Sequence, residues 1–73
     1  MPRFYFHVRT SQGHEPDEVG IVFNTVDDAV ADARRARGEL LADAALDQHP
    51  PRPLAFEITD ERGTIVATVP FIE

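Results

Sequence analysis

The sequence predicts an α+β domain of the order ββαββ, with a three- to four-stranded antiparallel sheet and one helix packed on one face. Three observations predict it. Residues 3–9 alternate Phe4, Phe6 and Val8 with Tyr5, His7 and Arg9, the period of a half-buried strand. Residues 26–47 lack Pro and repeat small and apolar side chains at helical spacing. Residues 54–60 and 64–72 alternate again about the turn Asp60-Glu61-Arg62-Gly63. The 73 residues suffice for one domain, residues 1–73, and not for two.

The elements follow in order. The first strand directs its Phe face inward. Residues 10–19 carry turn chemistry, with Gly13 and Pro16 among polar side chains. Residues 20–23 form a short strand that pairs back with the first, Ile21 and Phe23 facing the core. Thr25 caps the helix, and Asp27 and Asp28 sit at the positive end of its dipole. Val26, Ala29, Val30, Ala33, Leu40, Leu41 and Ala44 share one face, Ala-rich enough to lie close to a sheet. Arg37 falls in the middle of that stripe. Either its stem packs and its head reaches water, or it meets a partner such as Glu57 or Asp60, or a subunit interface. Three prolines between positions 50 and 53 end the helix and favour an extended connector.

The last two strands form a hairpin whose register can be argued. A four-residue loop places Ile58 against Ile65, Phe56 against Ala67 and Leu54 against Val69, one continuous apolar face. A three-residue loop with a Gly bulge places Ile58 beside Val66 and Phe56 beside Thr68. The first has the cleaner pattern and is preferred, since a one-residue slip turns every side chain over. Pro70 cannot donate to a ladder, so the last strand is an edge or ends near it.

Composition excludes several classes. The chain has 13 acidic residues, 7 basic residues and a net charge of −6, and it contains no Lys. Phosphate-backbone binding relies on cationic side chains, so nucleic acid is not an expected partner. The absence of Cys removes disulfides and Cys-based zinc sites. No apolar run approaches the roughly 18 residues of a membrane helix. Residues 1–8 lack the cleavage pattern of a signal peptide, and a cytoplasmic location is expected. Small chains without such staples gain stability by oligomerising, so a homodimer is expected.

Few residues suggest chemistry. Ser11 is the only Ser, and no nucleophile motif, phosphate-cradling Gly-rich loop or metalloprotease helix occurs. No cofactor and no enzymatic activity are expected. His14, Asp17 and Glu18, with His7 nearby, have the composition of a divalent-metal site, although a solvated loop explains them as well. The helix's outer face carries Asp28, Asp32, Glu39 and Asp43, broken by Arg35. One helix covers one sheet face, which leaves Tyr5, His7, Arg9, Glu57, Thr59, Thr64, Val66 and Thr68 on the other. That mixture of aromatic, β-branched and charged side chains suits protein contact.

Read whole, the chain resembles a family of short bacterial proteins known as a domain of unknown function. The elements that carry the likeness are residues 1–8 (Met-Pro-Arg-Phe-Tyr-Phe-His-Val), Asp17-Glu18-Val19-Gly20, the Ala- and Arg-rich helix, Thr59-Asp60-Glu61-Arg62-Gly63 and Val69-Pro70-Phe71. The resemblance implies no activity and no catalytic residue. The family's helices more often look to carry Ala where this one has Arg37. A weaker likeness, in element order alone, is to antitoxin domains of toxin–antitoxin pairs. The expected function is a small non-enzymatic protein-interaction or regulatory module, acting through the uncovered sheet face or a strand edge. The rivals are a small-ligand or metal-binding protein using residues 14–18, and an antitoxin-like acidic partner of a basic protein.

Overall fold

The computed structural model describes residues 2–47 and 53–71, and side chains within residues 43–47 are left aside. Asp43, Ala44, most of the Pro-rich connector and the expected strand end at Ile72 therefore lie outside the description. The order is β1 (Arg3–Thr10), β2 (Gly13–Glu15), β3 (Ile21–Val22), α1 (Val26–Asp47), β4 (Pro53–Thr59) and β5 (Ile65–Pro70). The five strands form one open antiparallel sheet with the helix against it, an α+β fold. The strand order is β2-β1-β4-β5, with β3 pairing the other end of β1. The sequence suggested three or four strands. The extra one is β2, hidden because the chain turns back at Gly13 inside a polar stretch.

The core lies between helix and sheet. Phe4, Phe56, Ile58, Val69 and Phe71 are buried beneath Ala29 and Ala33. Small side chains at the crossing let the helix approach the sheet, and the aromatic rings fill the layer. Phe6 meets Phe56 edge-on at 5.8 Å, and Phe56 meets Phe71 at 4.9 Å. Such pairs add to the stabilisation from burial. Phe23 follows β3 rather than lying in it, yet stacks on Phe6 at 5.9 Å as its inward placement required. The Thr25 hydroxyl accepts the Asp28 N–H at 3.1 Å, which confirms the cap. Thr25→Ala is expected to cost about 1 kcal/mol, read as a Tm lower by roughly 4–8 °C.

Two bulges account for the positions that alternation misplaces. Arg9 pairs with Ala55 but Thr10 with Pro53, so Leu54 is an extra residue in β4. It is 48% exposed rather than inward. Thr59 pairs with Ile65 but Ile58 with Ala67, so Val66 is an extra residue in β5. Neither expected hairpin register is found: Phe56 meets Val69, and Glu57 meets Thr68. A bulge inserts one unpaired residue and restores the inward face beyond it. Ile65 consequently points away from the helix and is 56% exposed, while Val66 packs on the core. Val66 is thus not part of the far face on which it was expected. Ile21, expected inward, is 48% exposed, because its two-residue strand lies at the sheet margin beside Phe4.

The turn between β4 and β5 is closed by its first residue. Asp60 Oδ1 accepts the N–H groups of Arg62 and Thr64 at 2.8 and 3.0 Å. The Arg37 guanidinium donates to the Pro70 carbonyl at 2.8 Å, Glu57 binds Arg9 and His14, and Asp60 caps the turn.

Candidate functional site: a paired polar array on the far sheet face

Alternation along β1 and β4 sends Tyr5, His7, Arg9, Glu57 and Thr59 to the face opposite the helix. The β1–β4 register sets Tyr5 against Thr59 and His7 against Glu57. β2 adds His14 beside Arg9. Sequence reasoning placed His14 in a loop, so it missed this neighbour.

Glu57 anchors the array. It is 9% exposed, and a carboxylate at that depth needs partners to offset its lost hydration. Arg9 donates to Oε2, and His14 Nε2 lies 3.1 Å from Oε1. Glu57 is reached by β1 on one side and by β2 across it. The three residues are 5 to 48 positions apart in sequence, and only the sheet unites them.

His7 is held at both ring nitrogens. The Asp17 N–H lies 2.9 Å from Nδ1 and can only donate, so Nδ1 is bare. The proton of the neutral ring is then on Nε2, which donates to Thr59 Oγ1 at 2.9 Å. Tyr5 stacks on one side of this ring and His14 lies on the other, with centroids at 6.4 and 5.5 Å. The result is a row of three flat rings in fixed orientation.

Asp17 ties the segment before β3 to the sheet. β2 pairs with one end of β1 and β3 with the other, and between them the Phe6 N–H has no strand to meet. Asp17 Oδ2 accepts that N–H at 3.1 Å. Its Oδ1 accepts the N–H groups of Val19 and Gly20 at 3.0 and 3.2 Å. Partial burial would raise the carboxyl pKa, but the Val19, Phe6 and Gly20 N–H donors outweigh it. The pKa is held below its usual 3.8. Gly20 lies against β1 with φ +73°, and Arg3 donates to the Val19 carbonyl at 2.9 Å.

The remaining expected residues spread out. Thr64 and Thr68 are exposed beside the array, and Thr59 is buried within it. His7, His14, Asp17 and Glu18 are not brought together as ligands. Asp17 accepts three backbone donors, His14 faces Glu57, and Glu18 is exposed. Among the described residues no group of three His, Asp or Glu side chains is placed to hold a metal ion. Asp32 pairs with Arg35 on the helix's outer face. Among the described residues no helix is long and apolar enough to cross a membrane.

An open antiparallel sheet with a helix against it and a self-paired polar face defines a small α+β domain. The chain belongs to the family described as Domain of unknown function (DUF6894), whose model matches residues 3–72. No curated protein and no solved structure matches the chain.

Proposed function

We propose that the chain is a small non-enzymatic binding module that presents its far sheet face to a protein partner. The observation that carries this reading is the pre-ordered array of Tyr5, His7, Arg9 and His14 over the buried Glu57. Side chains already fixed by internal bonds lose little freedom when a partner docks. An aromatic-and-Arg surface is the composition that protein interfaces favour. The same internal bonds occupy the groups that proton transfer or metal binding would require, so they support recognition over reaction.

The test uses the full chain as bait in extracts of its native cell, followed by affinity measurement with the partner retained. Thr68→Arg adds bulk and charge at the exposed margin of the array. It is expected to weaken binding about tenfold or more. Glu39→Arg, on the opposite side of the molecule, is expected to leave affinity within about twofold. The reverse pattern overturns the proposal and moves the site to the acidic helix face.

A further inference from the structure

β5 ends the sheet on one side, and an unpaired edge strand is a template for pairing with another chain. Its backbone can be read group by group. The Phe71 N–H donates to the Leu54 carbonyl at 2.9 Å, so Phe71 directs its backbone groups toward β4. Direction alternates along an antiparallel ladder. Val69 and Ala67 therefore also face β4, while Pro70 and Thr68 face outward; the alternation stops at Val66, the extra residue of the bulge. A symmetric pairing of this edge with a second copy, centred on Thr68, would bring Pro70 opposite the other copy's bulge and the reverse. An unbroken ladder would make six hydrogen bonds over that span. Two of them require an N–H that Pro70 lacks. Two more require the Pro70 carbonyl, which already accepts from Arg37 at 2.8 Å. Only the Thr68 pair remains uncontested, and the bulge at Val66 bends the strand next to it.

We propose that Arg37 and Pro70 form a two-part guard that keeps the β5 edge from pairing with β5 of a second copy. This explains a cation in the middle of an apolar helix stripe. The head occupies an edge carbonyl that a foreign strand would need. Pro70 removes the matching donor from the same residue. The guard leaves the far face untouched, so partners dock there and not by adding a strand.

The test compares wild type with Arg37→Met, Pro70→Val and the double variant. Met keeps an unbranched side chain without the guanidinium, and Val suits an edge strand. Mass is followed by light scattering at high micromolar concentration, and amide exchange is followed at Thr68. Wild type is expected to exchange this amide rapidly. The double variant is expected to associate with rising concentration and to protect Thr68 about 100-fold or more. Association of wild type through its far face leaves this amide open, so the two proposals are read separately. A protected Thr68 amide in wild type overturns the guard. So does a folded double variant, with a dispersed amide spectrum, that stays monomeric with that amide open. Should the double variant fail to fold, Pro70→Val alone decides, since it restores the missing donors: concentration-dependent protection of Thr68 supports the guard, and an open Thr68 overturns it.

Discussion

Asp17→Ala is expected to lower stability by about 2–4 kcal/mol, because three backbone donors lose one charged acceptor. The Phe6 N–H is the costliest of the three. It lies part-buried at mid-strand, where neither β2 nor β3 reaches it. In a domain this small the loss lowers Tm by roughly 10–20 °C. Asp17→Asn retains one acceptor oxygen and is expected to lose about half as much. The same carboxylate sets an acid limb. Its folded pKa lies below the usual 3.8, so the ionised form is the one folding favours. That contribution is complete at neutral pH, begins to fall near the unfolded value, and is gone once pH drops through the folded one. Urea midpoints measured from neutral pH to below 3 are expected to fall less for Asp17→Asn than for wild type. Parallel curves would remove Asp17 from this role.

Gly20→Ala is expected to cost about 2–3 kcal/mol, from positive φ together with a steric clash. An added Cβ would stand 2.9 Å from both the Phe4 carbonyl oxygen and Arg3 Cγ, and 3.0 Å from the Tyr5 ring. The Arg3 stem can move, but the Phe4 carbonyl belongs to the central strand and cannot. Gly63 supplies the control. Its φ is +83°, yet nothing lies within 4 Å of a Cβ there. Gly63→Ala therefore carries the backbone cost alone, about 1–2 kcal/mol. Denaturant midpoints that fall equally for the two variants would show that close approach at Gly20 contributes nothing.

The parts of the fold that were legible in the sequence are those governed by a period. Phe4, Phe6 and Val8 gave β1, the Thr25 cap and the Ala stripe gave α1, and Phe56 and Ile58 gave β4. What period cannot carry is a change of period. Leu54 and Val66 are single insertions into regular strands, and each turned an adjoining assignment over. β2 was invisible because three polar residues have no apolar face to repeat. In the candidate site, His7, Arg9 and Glu57 were found by alternation. His14 was not, since it depends on β2. Asp17 looked like one acid among several in a polar loop. A signal did exist, an Asp placed two and three residues before Val19 and Gly20, the spacing at which a carboxylate can bond its own following backbone.

Arg9, His14 and Glu57 also bear on how this chain can change over generations. Losing Arg9 or His14 alone strips a donor from a buried carboxylate. Losing Glu57 first leaves two half-exposed donors that water can reach. Change along this trio is therefore directional: the acid goes before its donors, or all three go together.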